Sequence, residues 1–98
     1  MKVSEITAKE LSDYLRLDDP TETELSELAR MKQRAASFMK SYTGLGDEEI
    51  DSHDEMAQAL LVLVADMFEN RNLYIEGKAS NINKMAESIL AMHSVNLL

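Results

Sequence analysis

An acidic stretch near the middle of the chain holds the densest group of side chains that could bind a metal. Within it Asp47, Glu49 and Asp51 have the alternate spacing of the first ligands of a calcium loop. Such a loop needs glycine at its sixth position and a bidentate glutamate at its twelfth, where this chain has Ser52 and Gln58. The sequence therefore favours a solvated acidic turn over a calcium site or a metal-dependent hydrolase.

Two other patterns could carry chemistry, and neither is complete. Gly44 and Gly46 resemble the start of a phosphate loop, but they follow a predicted helix and precede three acidic residues that would repel phosphate. His53 lacks the second histidine of a zinc-protease helix, and no local pattern joins a histidine to a serine nucleophile. We interpret His53 as a solvated residue near a helix start and His93 as a core histidine bound to a carbonyl. The sequence predicts no catalytic residue, no cofactor and no metal site, and thus a protein that is not an enzyme.

Composition limits the class of protein further. The chain has 98 residues, no cysteine, and 18 acidic against 10 basic residues, which gives a net charge of -8. This length predicts one domain over residues 1–98, and the charge argues against a protein that grips nucleic acid through its phosphates. The longest apolar run, Ala59 to Ala65, is much shorter than the roughly 18 to 20 residues that cross a bilayer.

Capping residues and apolar periodicity predict an all-α fold. Thr7 with Glu10 and Ser52 with Glu55 have the spacing of capping boxes, and Gly44 is placed to end a helix. The four predicted helices run from Thr7 to about Leu17, from Asp19 with Pro20 to Tyr42, from Ser52 to about Asn72, and from an Asn81 cap onward. The third is apolar around most of its circumference. The expected architecture is a single-domain bundle of about four helices around this central helix.

The second predicted helix has more apolar surface than one core requires. Its apolar arc spans roughly half of the circumference and includes Met31, Lys32 and Phe38. We therefore expect these three residues to contact a neighbouring copy. Arg30 and Arg34 lie outside the arc, on a face that we interpret as solvated and salt-bridged to Glu27.

The last residues of the sequence are unusually apolar. Val95, Leu97 and Leu98 are expected to be covered, either by the domain's own core or by a partner protein.

Three strings of the sequence, taken together, resemble one protein family. They are SYTGL at 41–45, ALLVLVADMFENRNLY at 59–74, and ESILAMHSVNLL at 87–98. In order and spacing they are similar to the small head-tail connector proteins of long-tailed bacteriophages and prophages, also described as DNA-packaging or adaptor proteins.

The resemblance implies a structural subunit of the virion, made in the bacterial host cytoplasm and placed at the head-tail junction. About twelve copies would form a homo-oligomeric ring beneath the portal vertex. The ring would extend the DNA channel without binding DNA specifically, and would dock a further head-tail joining or tail protein. No membrane is involved.

The resemblance also implies which residues meet partners. The portal contact would use Met92, Val95, Leu97 and Leu98. The loop from Leu73 to Ser80, near neighbours or the channel, would contribute Tyr74, Ile75, Glu76 and Lys78. The alternative to a connector is a small acidic regulatory protein that covers a basic nucleic-acid-binding partner.

Overall fold

The computed structural model describes residues 1–70 and 84–93, and the fold of these residues is all-α, as the sequence predicts. Within them no β-strand is present, and no helix is long and apolar enough to cross a bilayer. The predicted Leu73–Ser80 loop and the Asn81 cap lie outside the described residues. The elements are a 3-10 helix at Val3–Glu5, α1 at Ala8–Tyr14, α2 at Glu22–Thr43, α3 at Asp47–Asp51, α4 at Glu55–Glu69 and α5 at Lys84–Met92.

The capping box that begins α1 is confirmed. The Thr7 hydroxyl oxygen accepts a hydrogen bond from the Glu10 amide (3.1 Å), and the Glu10 carboxylate accepts one from the Thr7 amide (3.3 Å). The helix ends at Tyr14, earlier than the predicted Leu17, because Arg16 adopts a left-handed backbone conformation with φ 59°. The chain therefore turns between α1 and α2 soon after Tyr14.

The start of α2 differs from the prediction by two residues. Asp19 has φ 46°, whereas an N-cap residue needs an extended backbone, so Asp19 cannot cap the helix. Thr21 does so instead: its hydroxyl accepts from the Glu24 amide (3.1 Å), and the Glu24 carboxylate accepts from the Thr21 amide (3.0 Å). The other end is as predicted, because Gly44 takes a left-handed conformation and donates its N–H to the Lys40 carbonyl.

The acidic stretch after Gly46 is partly helical. Its residues form α3, and the predicted cap at Ser52 is wrong, because the Ser52 hydroxyl donates backwards to the Glu49 carbonyl (2.6 Å). The residue before α4 is Asp54, whose side chain makes no capping hydrogen bond. Helix α4 ends at Glu69, before the expected Asn72.

Helix α4 lies at the centre of the fold, which confirms the prediction. It packs against α1, α2, α3 and α5. Leu60, Leu63 and Val64 are buried, and the exposed residues of α4 include Gln58 and Glu69. The neighbours that share this core are Ile6, Leu11, Leu28, Ala35, Met39, Ile50, Ala86 and Leu90.

Candidate functional site

The outer side of α2 carries an exposed pair of aromatic side chains. Phe38 is 38% and Tyr42 36% exposed, and their ring centroids lie 5.8 Å apart. The two residues are one helical turn apart, at the margin of the stripe that α2 buries through Leu28, Ala35 and Met39. The predicted excess of apolar surface on α2 is thus present at Phe38.

Met31 does not belong to that exposed margin. Its side chain is only 6% exposed and is part of the domain's own core. Met31 falls inside the stripe formed by Leu28, Ala35 and Met39, because these positions recur every three to four residues. The expectation that Met31 contacts a neighbouring copy is therefore corrected to a core role.

Lys32 also has a partner within the chain. Its ammonium group donates a hydrogen bond to the carbonyl oxygen of Ile6, 2.6 Å away. The lysine lies inside the apolar arc because its stem crosses the core margin while its charge reaches a backbone carbonyl that follows the 3-10 helix. Its role in self-assembly stays a prediction, and this hydrogen bond gives Lys32 a role within the domain.

Two arginines extend the aromatic pair into a continuous row. Arg30, Arg34, Phe38 and Tyr42 are spaced by four residues, so they follow one another along the same side of α2. All four are exposed, and neither guanidinium group makes an ion pair within residues 1–70 and 84–93. The interpretation of Arg30 and Arg34 as a salt-bridged face is therefore not supported. We call these four residues the arginine–aromatic ridge.

The sequence shows the ridge only as four residues at helical spacing. Its signal is an i, i+4 row of two arginines followed by two aromatic residues, and arginine and tyrosine are enriched among the residues that contribute most to binding at protein interfaces. The apolar periodicity places Phe38 with the core residues and the two arginines on the polar face, although all of them belong to one row spaced by four residues. The row becomes visible only when the buried stripe is known.

The acidic residues around α3 lie near the other side of α2. Asp47 forms an ion pair with Lys40 (3.2 Å), and Glu49 accepts a hydrogen bond from the Gly46 amide (3.2 Å). Glu48 and Asp54 are exposed, and their side chains have no hydrogen-bond or ion-pair partner in the described part of the chain. We call Asp47, Glu48, Glu49 and Asp54 the acidic corner.

Asp51 joins α3 to the beginning of the chain. One of its carboxylate oxygens accepts a hydrogen bond from the Ser4 amide, 3.1 Å away. The Ser4 hydroxyl and amide together hold the pKa of the Asp51 carboxyl below its usual value, because both stabilise the charged form. The Asp51 carboxylate, which the sequence suggested as a possible calcium ligand, thus links the 3-10 helix to α3. Among the described residues no group of three possible ligands is arranged to hold a metal ion.

The two histidines meet, although they are 40 positions apart in the sequence. Their ring centroids lie 4.1 Å apart, and Nε2 of His93 lies 2.5 Å from a carboxylate oxygen of Glu55. The carboxylate replaces the carbonyl partner expected for His93, and His53 is half-buried rather than fully solvated. This cluster joins the end of α5 to the start of α4.

Of the residues predicted to contact the portal, only one lies within the described part of the chain, and none of the predicted loop residues does. Met92, at the end of α5, is 76% exposed, as a docking residue would be. The remaining predicted residues lie outside the described ones: Val95, Leu97 and Leu98 of the tail, and Tyr74, Ile75, Glu76 and Lys78 of the loop.

Comparison with known proteins gives no match. No family model, no curated protein and no solved structure is similar to this chain.

Proposed function

We propose that this chain is a non-enzymatic structural subunit that assembles into a ring, and that the ring is a head-tail connector of a long-tailed bacteriophage or prophage. In this role it lies beneath the portal vertex, extends the DNA channel and docks the next head-tail joining or tail protein. The sequence resemblance supplies the setting, and the surface of α2 supports self-assembly.

One observation carries the proposal: the Phe38–Tyr42 pair is exposed on a helix whose core stripe is already complete. Leu28, Ala35 and Met39 of the same helix are fully buried in the domain's own core. More than a third of each side chain is still exposed, and a neighbouring subunit would bury this remaining apolar surface favourably.

The charge of the chain is compatible with a DNA conduit. A net charge of -8 repels the phosphate backbone, so DNA would pass along such a ring without being held. The exposed Met92 is compatible with a contact that continues into the tail residues and reaches the portal.

The test is the mass of the protein in solution, measured by light scattering with and without a cognate portal ring. We expect wild-type chain to form large oligomers that Phe38→Ser with Tyr42→Ser abolishes while leaving a folded helical monomer. Tyr14→Ser is the matched control, because Tyr14 is exposed on α1 and its loss should leave assembly unchanged. Monomeric wild-type chain in both conditions contradicts the proposal.

A second function is favoured by a different observation. Residues 47–70 carry eight acidic side chains and no lysine or arginine, a distribution that suits an inhibitor covering a basic nucleic-acid-binding surface. Such an inhibitor would form a small stoichiometric complex with its partner. Light scattering separates the two functions, since a connector forms a large assembly of its own copies.

A further inference from the structure

We propose that copies of this chain associate head to tail, with the arginine–aromatic ridge of one copy resting on the acidic corner of the next. This inference deepens the proposed function, on which it rests, by naming the two surfaces that meet between subunits.

The first argument is the segregation of charge along the chain. Residues 28–46 carry four basic and no acidic side chains, whereas residues 47–70 carry eight acidic and no basic ones. Of the four basic residues, Arg30 and Arg34 belong to the ridge, whereas Lys32 and Lys40 bind Ile6 and Asp47 within the chain. Surfaces of opposite sign on one protein attract each other between copies and fix their relative orientation.

The second argument is that both surfaces have charged side chains that form no ion pair within the described part of the chain. Arg30 and Arg34 of the ridge form no ion pair within the described chain, and neither do Glu48 and Asp54 of the acidic corner. Two free guanidinium groups therefore have two free carboxylates as possible partners. Phe38 and Tyr42 supply the apolar part of the contact, which exposed ion pairs alone would leave weak.

The third argument is geometric and concerns the directions in which the two surfaces face. Lys40, which binds Asp47 of the acidic corner, lies roughly 160° around α2 from Phe38, since each residue advances by about 100°. Lys32 on the same side of α2 binds Ile6, next to the 3-10 helix that Asp51 of α3 fastens. The same arithmetic places Lys40 about 160° from Tyr42, about 120° from Arg34 and about 80° from Arg30. The acidic corner therefore faces away from the aromatic end of the ridge, and in the described chain no ion pair joins the two surfaces.

Complementary surfaces that face different directions on one protomer produce a heterologous contact. Repetition of such a contact gives a ring if the rotation closes and an open filament if it does not. A symmetric dimer that placed ridge against ridge would, in contrast, bring four arginines together. Charge thus favours the head-to-tail arrangement over the symmetric one.

A charge-swap experiment tests the inference. The ridge swap is Arg30→Glu with Arg34→Glu, and the acidic-corner swap is Glu48→Arg with Asp54→Arg. Each variant alone presents like charges at every contact, whereas a mixture pairs the acidic ridge of one with the basic corner of the other. Sedimentation at up to about 1 mM protein and about 0.15 M salt measures the association. Circular dichroism verifies that each variant is folded.

We expect each swap alone to weaken self-association at least about tenfold and the equimolar mixture to restore it. The matched control, Gln33→Glu with Gln58→Glu, adds negative charge at exposed positions outside both surfaces and should leave association within about twofold of wild type.

The possible outcomes separate the inference from the proposed function. If both swap variants still form oligomers like those of wild type, or if the mixture stays dissociated, the inference is overturned. The proposal that the chain self-assembles is then unaffected. Wild-type chain that is monomeric at every concentration overturns both. Binding of a single-stranded oligonucleotide that Arg30→Gln with Arg34→Gln removes would assign the ridge to nucleic acid instead, and would also overturn the inference.

Discussion

The ammonium group of Lys32 and the carbonyl oxygen of Ile6 are joined by a 2.6 Å hydrogen bond across 26 positions of the sequence. This bond links the middle of α2 to the segment between the 3-10 helix and α1. It accounts for a charged residue inside an apolar arc, and it means that the N-terminal residues are fastened from two sides, since Ser4 also binds Asp51 of α3.

Replacing Lys32 by Met should weaken the fold without affecting assembly. The variant keeps the apolar stem but leaves the Ile6 carbonyl without its charged donor, which should lower the free energy of unfolding by about 1 to 2 kcal/mol. Denaturation in urea measures this loss, and Lys32→Arg, which retains a donor, is the control. A loss of oligomers in Lys32→Met at unchanged stability would return Lys32 to the subunit interface.

Met31 and Phe38 should respond oppositely to the same substitution. Met31→Glu places a carboxylate in the core, and the cost of burying it, several kcal/mol, should unfold the domain. Phe38→Glu changes an exposed position, so the monomer should stay folded while self-association is lost. Thermal melting followed by circular dichroism, with light scattering on the folded variant, distinguishes the two. A folded Met31→Glu variant would show that Met31 is not a core residue.

Asp51 should make the stability of the domain depend on pH in the acid range. Its pKa is lowered in the folded state, so the unfolded chain binds the proton more readily. The stabilisation is therefore complete above the unfolded value, about 3.9, and disappears as the pH falls through the lower folded value. Asp51→Asn removes this titration.

The measurement for Asp51 is urea denaturation of wild type and Asp51→Asn at a series of pH values. We expect wild type to be the more stable at neutral pH, and the difference between the two to shrink steadily below about pH 4. Ser52→Ala, one position further along, should leave the pH dependence unchanged. A difference that stays constant down to about pH 2 would show that the carboxylate does not stabilise the fold through its charge.

Deleting residues 94–98 should separate docking from folding. The described part of α5 already buries Ala86 and Leu90, and His93 keeps its contact with Glu55, so the melting temperature should change by only a few degrees. Val95, Leu97 and Leu98 would each contribute on the order of 1.5 to 3 kcal/mol if fully buried on a partner, so the truncated chain should lose portal binding in a pull-down. An unfolded truncated chain would place these residues in the domain's own core.

The fold class, the central helix and the helix ends that side chains or glycine specify directly could all be predicted from local sequence patterns. Thr7 with Glu10 and Gly44 act through hydrogen bonds and backbone conformations only a few residues long, and α4 is apolar around most of its circumference, so local pattern is sufficient for them. The predicted caps at Asp19 and Ser52 were wrong. At Asp19 the positive φ prevents capping, and at Ser52 the hydroxyl forms a different local hydrogen bond. Local sequence does not distinguish these alternatives.

Which apolar and charged residues of α2 remain at the surface depends on how the other elements pack against this helix. The periodicity placed Met31, Lys32 and Phe38 in one arc, but the position of α4 buries the first, the N-terminal segment binds the second, and the third stays exposed. The meeting of His53, His93 and Glu55 is likewise invisible in the sequence, because contacts between distant positions depend on how helices pack. The sequence of a helix shows which residues share a face, whereas the element that covers each face depends on the rest of the chain.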